Sequence, residues 1–283
     1  MFTAIGIVVR QRATMDVPDE QGISSLMLST LLRRPLWWAG TASAVTGYLF
    51  QAVALTFGSL ILVAPLLVSA LLFALPLSAW LAHRRVSRPE WGWALMLTVA
   101  LAVFVSLAKT RPGDYEASES TAMAVAAGCL VLVAACVAVA RRLSDWRRAI
   151  TLAVAVGMMF AVVAVLTKIV TQILTEESAV RLLASPVTYA LIAFGVGATL
   201  LQQSAFHAGS LKASVPAMLV LEPLVAVLLG QVVLGEHLVV TTTSAIVLGI
   251  AVAAMTAATI ALGRDEGAYE DELEAAATRR LTP

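Results

Sequence analysis

Eight apolar segments of bilayer length follow one another along this chain, and they constrain its fold more than any other feature. The segments are 36–56, 60–82, 91–108, 121–140, 149–173, 187–207, 212–234 and 241–263. A transmembrane helix needs about 20 mostly apolar residues. With 60% hydrophobic and 13% charged residues, and a mean hydropathy of +0.89, the chain is too apolar for a soluble domain. The sequence therefore predicts an all-α polytopic membrane protein.

A ninth apolar segment, 1–10, is about half the length of the others. We expect it to be the first, short member of about nine transmembrane helices. It overlays 159–168 as MFTAIGIVVR on MFAVVAVLTK, and that second copy has further apolar residues before it. We expect about ten further apolar residues before Met1, because a helix that ends in hydrocarbon exposes four unpaired N–H groups. The alternative is a true half-span.

Basic residues concentrate in alternate connections, which predicts the orientation in the membrane. By the positive-inside rule the richer set is cytoplasmic, so the C-terminus is expected inside a bacterial cell, with the protein in the plasma membrane. The opposite set holds only Lys109, Arg111 and Arg181. The richer set comprises Arg10, Arg12, Arg33, Arg34, Arg84, Arg85, Arg88, Arg141, Arg142, Arg147, Arg148, Lys212, Arg264, Arg279 and Arg280.

The segment from Lys212 to Leu234 carries one carboxylate, Glu222, followed directly by Pro223. At roughly 1.5 Å per residue, Glu222 lies about 15 Å from Lys212, near the middle of a core about 30 Å thick. An acid at that depth costs roughly 2.5–3.5 kcal/mol and marks a functional site by default. Pro223 also frees a backbone carbonyl one turn back, that of Leu219. The alternative is a structural acid bonded to a neighbouring helix, with the proline as a tolerated kink.

A shift of 151 residues reveals an internal repeat. Each copy is a segment, a Gly-Ser-Leu turn and a second segment with an early proline, and an odd number of segments, five, separates equivalent elements. The copies therefore face opposite ways across the membrane, as in many secondary transporters. We predict two inverted-topology repeats: 1–120 with an extracytoplasmic loop, and 121–263 with a linking helix, before a charged cytoplasmic tail at 264–283. Pro35 falls on Pro186, Gln51 on Gln202, Gly58 on Gly209, Ser59 on Ser210, Leu60 on Leu211 and Pro65 on Pro216.

The two copies carry a family resemblance over roughly residues 1–263. The stretch from Gly58 to Leu97 and the stretch from Gly209 to Leu238, with its Gly235-Glu236 turn, resemble the EamA-like repeats of the drug/metabolite transporter superfamily. Within it, the chain looks closest to the NIPA-like magnesium transporter branch. The resemblance implies a carrier that moves a small solute by alternating access, and it leaves the solute open.

Polar side chains inside the apolar segments are the further candidate site residues. Gln51, Gln202, Gln203, Thr199 and His207 could line a solute path, and Thr199, Gln203 and His207 share one helix face. Interhelical hydrogen bonding is the alternative for them. Lys168 could neutralise Glu222, bind an anion, or snorkel to the membrane surface. Pro65, Pro216 and Pro223 are the predicted helix breaks.

No catalytic, phosphate-binding, metal or cofactor motif is visible, so we expect neither an enzyme nor a nucleic-acid-binding protein. The sequence favours a proton- or ion-coupled carrier of a small solute, with Glu222 as the coupling or substrate group. Its expected partners are the lipid bilayer and a small-molecule or ion substrate. The sequence is also compatible with a homodimer. A magnesium or other divalent-cation transporter, and a non-transporting subunit that docks a partner, are the alternatives.

Overall fold

The computed structural model describes residues 35–81, 85–111, 119–177, 179–206 and 211–281, which form ten α-helices and two short strands. Segment 1–10 and our expectations for it lie outside these ranges. The helices are α1 (Pro35–Phe57), α2 (Leu60–Leu67), α3 (Ala70–Leu81), α4 (Arg88–Leu107), α5 (Glu119–Ala140), α6 (Asp145–Glu176), α7 (Ala179–Ala184), α8 (Pro186–Phe206), α9 (Leu211–Leu234) and α10 (Thr242–Leu281). The strands β1 (Thr110–Arg111) and β2 (His237–Leu238) pair antiparallel.

The eight predicted segments are helical in the structure, and segment 60–82 is divided between α2 and α3. Among the described residues, six stretches are long and apolar enough to cross a membrane. Val45–Phe57 and Pro186–Gln202 are apolar but shorter. The structure therefore fits an all-α protein embedded in a membrane. The six stretches are Leu60–Leu77, Arg88–Leu107, Ser120–Ala140, Trp146–Glu176, Ser214–Leu234 and Thr242–Arg264.

The helix α6 occupies the centre of the bundle. It packs against α1, α5, α8 and α9, and 72% of its apolar stretch is buried. A helix that is apolar on all sides belongs in such a position, because each of its faces can be covered by a neighbour. Gly157 brings α6 and α9 close together: a Cβ there would lie 3.0 Å from the Cβ of Leu221 and 3.3 Å from the backbone nitrogen of Glu222.

A second group of helices packs beside the centre, where α4 and α10 face each other and α10 also packs on α9. The start of α4 is fixed by a capping box: the Ser87 hydroxyl accepts from the Glu90 backbone N–H (3.3 Å), and the Glu90 carboxylate accepts from the Ser87 backbone N–H (2.5 Å). Such a box satisfies two of the N–H groups that a helix start leaves unpaired. Phe104 and Leu97 of α4 are then buried against the α10 side.

Two sequence expectations can be compared with the backbone. The charged tail predicted from residue 264 continues α10 without interruption to Leu281. Of the three predicted helix breaks, only Pro65 precedes an interruption: α2 ends at Leu67, and α3 begins at Ala70. Pro216 and Pro223 lie inside the continuous helix α9, because neighbouring helices can support a membrane helix that lacks single N–H donors.

We predict that Gly157→Ala destabilises the bundle, because the added methyl group would press on the backbone of α9. Overpacking of this kind typically costs about 1–3 kcal/mol. The matched control is Gly128→Ala on α5, where an added Cβ would meet nothing within 4 Å. Thermal unfolding of both purified variants in the same detergent checks this. Equal melting temperatures for the two variants would contradict the close α6–α9 contact.

Candidate functional site

Glu222 lies in the middle of α9 and is half-buried. It stands one turn before Ala226, which is fully buried in the cluster that α6 and α9 share. Gly157 of α6 lies directly beside its backbone nitrogen. Over the residues that the structure describes, the Glu222 carboxylate has no hydrogen bond and no ion pair. An intramembrane carboxylate without a protein partner can bind a proton or a cation.

A cavity of about 230 Å³ lies on another side of α9, between α2, α4 and α10. Pro65, Pro223 and Phe104 contribute to its walls. Its two threonines, Thr256 and Thr259, donate their hydroxyl hydrogens to carbonyls of their own helix, each at 2.8 Å. The cavity therefore presents an almost wholly apolar surface.

A second polar centre lies at the α1–α2 joint, which we define as residues 55–63. The Lys168 ammonium of α6 donates to the carbonyls of Leu55 and Gly58, the latter at 2.7 Å. It thus satisfies acceptors that the end of α1 leaves without intrahelical donors. A cation at a helix C-terminus is also favoured by the helix dipole.

The start of α2 is held by a carboxylate from far along the chain. Glu236, only 3% exposed, accepts from the backbone N–H groups of Leu60 (2.8 Å) and Ile61 (3.0 Å). The Ser59 carbonyl accepts from the next two N–H groups, those of Leu62 and Val63. The N–H groups of the first four residues of α2 therefore all have acceptors.

The turn after α9 delivers this carboxylate. Gly235 has a φ of 62°, a left-handed conformation that favours glycine, and it lets the chain reverse at the end of α9. Gly230 lies next to the carboxylate, since a Cβ there would come 3.3 Å from Glu236 Oε2. The side chain can therefore pass close to the α9 backbone and reach α2.

The same end of the bundle carries the two strands, and we call it the β-pair end. Thr110 pairs with Leu238, and the Ser59 hydroxyl donates to the Thr110 hydroxyl oxygen at 3.0 Å. Ser59 occupies the position before α2 where serine usually caps the helix, but its side chain makes no cap hydrogen bond. Glu236 caps α2 in its place. The joint is thereby connected to the segments that follow both α4 and α9.

Lys168 and Glu222 are not brought together. Gly157 marks the level of Glu222 on α6, and Lys168 follows roughly 16 Å further along that helix at about 1.5 Å per residue. The Lys168 ammonium instead contacts the carbonyls of Leu55 and Gly58. Charge neutralisation of Glu222 by Lys168 is therefore wrong for this structure.

The predicted polar stripe is only partly described. Gln51 and Gln202 are half-buried in α1 and α8. The Thr199 hydroxyl donates to the Gly195 carbonyl of its own helix at 2.9 Å. His207 and the side chain of Gln203 lie outside the described part. A role of these residues in lining a path stays a prediction.

Sequence reasoning missed the role of Glu236. The Gly235-Glu236 pair was noted as a turn, and its position after an apolar segment was the available signal for a helix cap. Its partner α2 lies 175 and 176 residues earlier in the chain, at Ile61 and Leu60. Short-range patterns cannot reveal a cap that comes from such a distance.

Comparison with known proteins gives one informative similarity. No family model matches the chain, and no solved structure matches it. The chain is 36% identical over 261 residues to a protein of Corynebacterium glutamicum described as uncharacterized, and the match covers 92% of this chain and 90% of that protein. Identity at this level over nearly the whole length of both chains shows common descent and a common fold. The chain therefore belongs to the same protein family as this Corynebacterium glutamicum protein.

Proposed function

We propose that the protein is a secondary transporter that moves a small solute across the bacterial plasma membrane by alternating access, with Glu222 as the coupling or substrate-binding carboxylate. The observation that carries this proposal is the position of Glu222: mid-helix in α9, half-buried, beside Gly157, and without a hydrogen bond or ion pair among the described residues. A purely structural acid would be expected to have a bonding partner, because a bare charge in hydrocarbon is costly.

Pro223 supports a functional reading of its neighbour. A proline inside a helix cannot donate to the carbonyl one turn earlier, which here belongs to Leu219. Membrane transporters use such freed backbone groups where a helix lines a site. The carboxylate of Glu222 and the carbonyl of Leu219 would then offer two acceptors near mid-membrane, suited to a proton or a cationic group.

The proposed architecture has nine transmembrane helices in two inverted repeats, with the C-terminus in the cytoplasm. Helix boundaries support the 151-residue register: α1 begins at Pro35 and α8 at Pro186, while α2 begins at Leu60 and α9 at Leu211. Packing supports it as well, since α2 contacts its counterpart α9, and α4 contacts its counterpart α10. A two-fold axis in the membrane plane between the copies would produce such pairs.

The remaining polar candidates fit a path that leads to Glu222. We propose that Gln51 in α1, and Thr199, Gln202, Gln203 and His207 in or after α8, line it. Amide and hydroxyl groups can exchange hydrogen bonds with a passing solute, whereas the apolar cavity beside Pro65 cannot. We therefore place the proposed path and the apolar cavity on different sides of α9.

The first prediction concerns topology. In an experimental structure of the whole protein, residues 36–82 and 187–234 should superpose after a half-turn about an axis in the membrane plane, with Gln51 on Gln202. Determination by cryo-electron microscopy in lipid nanodiscs checks this. Superposition in the same membrane orientation, or in a distant register, would exclude an inverted repeat.

The second prediction concerns Glu222. In proteoliposomes, Glu222→Gln should insert and melt as the natural protein does, but its solute-driven proton flux should fall to the level of empty liposomes, because glutamine cannot release or bind a proton. The solute is first selected by its stabilisation of the purified protein, in a screen that includes Mg²⁺. A pH-sensitive dye inside the liposomes reports the flux.

Glu177→Gln is the matched control, since Glu177 is an exposed carboxylate that pairs with Arg181 at 3.1 Å. It should retain full flux. Retention of full flux by Glu222→Gln would reject the assigned role. Flux of Mg²⁺ without protons would favour a divalent-cation transporter, although the described residues contain no group of three His, Cys, Asp or Glu that could hold a metal ion. Absence of any solute-dependent flux would favour a non-transporting subunit.

A further inference from the structure

The α1–α2 joint is the point where α1 ends and α2 begins. Both helix ends leave backbone groups there without intrahelical partners. Lys168 places a positive charge on the carbonyls at the end of α1. Glu236 places a negative charge on the N–H groups at the start of α2. Each charge matches the partial charge of the helix end that it contacts.

The two charged residues come from different parts of the chain, so the joint is bonded both to α6 and to the turn after α9. Lys168 belongs to the central helix α6, and Glu236 follows α9. The helix ends cannot separate from α6 or α9 unless these hydrogen bonds break together.

The two copies of the repeat differ in charge at the position of Glu236. In the 151-residue register Glu236 corresponds to Arg85, which carries the opposite charge. An arginine has no acceptor with which to bind backbone N–H groups. Arg85 therefore cannot cap the start of α9 as Glu236 caps the start of α2.

We propose that Lys168 and Glu236 form a clamp that holds the β-pair end of the bundle closed, and that the transport cycle opens this end by releasing the α1–α2 joint. This inference rests on the proposed transport function, and it assigns Lys168 and Glu236 as positioning residues and not as substrate-binding groups. The paired strands and the Ser59–Thr110 hydrogen bond close the same end. The break between α2 and α3 at Val68 and Ser69 gives α2 a point about which it can move.

Cysteine accessibility tests the clamp without any solute. The reporter is Ser59→Cys, a nearly isosteric change, in a background where Cys129 and Cys136 are replaced by alanine. The rate of its reaction with a water-soluble maleimide is measured in lipid nanodiscs, where both membrane faces are accessible. Position 59 is only partly exposed in the closed joint, so opening should raise the rate above that of the unchanged protein.

Glu236→Gln and Lys168→Met should each raise this rate by at least about tenfold, because each removes hydrogen bonds to a charged group. The two effects should not multiply in the double variant, since both residues hold one joint. Glu177→Gln, which removes a carboxylate soon after Lys168 on the chain, should leave the rate unchanged.

A second reporter separates clamp release from general loosening. Ala198→Cys lies fully buried where α8 packs on α6. It should stay unreactive in all variants. An unchanged rate at Ser59→Cys in either charge variant would overturn the clamp, and so would an equal rise at Ala198→Cys, because that would mean unfolding.

A locked joint distinguishes this proposal from the proposed function. The pair Ser59→Cys and Thr110→Cys, whose natural hydroxyl oxygens lie 3.0 Å apart, can be oxidised to a disulfide in proteoliposomes. If the joint opens during transport, oxidation should stop the flux and reduction should restore it. If the labelling result holds but the oxidised pair transports at the full rate, the clamp stands as a fixed joint and its role in the cycle is refuted. If Glu222→Gln retains full flux while the labelling rates change as expected, the role of Glu222 in transport is rejected and the clamp is not.

Discussion

The pairing of buried backbone groups at helix ends is the constraint on which the rest of this structure depends, because a buried N–H or C=O group without a partner is costly. The requirement is greatest at the α1–α2 joint, where one helix ends and another begins within two residues, Gly58 and Ser59. The bundle answers with Lys168 for the carbonyls and Glu236 for the N–H groups. Two charged side chains therefore supply the partners for the backbone groups at this joint.

The arrangement of the helices follows from that solution. Lys168 can reach the joint only because α6 runs through the centre, and Glu236 can reach it only because Gly235 turns the chain sharply after α9. Glycine has a second use at the other contact of these two helices, where Gly157 lets the α6 backbone approach that of α9 beside Glu222. The same pair of helices therefore positions both Glu222, within α9, and Glu236, in the turn that follows it.

How much the sequence could predict depends on the range of the interaction. The segment from 121 to 140 and its helix α5 agree within two residues, because length and hydropathy are local properties. The extension of α10 to Leu281 was missed, since a charged, Ala- and Glu-rich segment is compatible with both helix and coil. Glu222 was singled out because it is one acid within an apolar segment, and its role stays a prediction. Neutralisation of Glu222 was one of three roles left open for Lys168, and the sequence could not exclude it, because the axial distance from Glu222 becomes known only when α6 and α9 are placed side by side.

Glu222 and Glu236 show why residue type alone does not assign a role in a membrane. Both follow or interrupt the same apolar helix, and either could be named a functional acid from the sequence. Glu236 has its two carboxylate oxygens bound by the backbone N–H groups of Leu60 and Ile61, so its removal would disturb a helix start. Glu222 has no such partners among the described residues. Hydrogen bonds from the protein to the carboxylate therefore separate a positioning acid, Glu236, from a candidate transport acid, Glu222. The two assignments are compatible, because the helices around the unbound carboxylate are held together by the bound one.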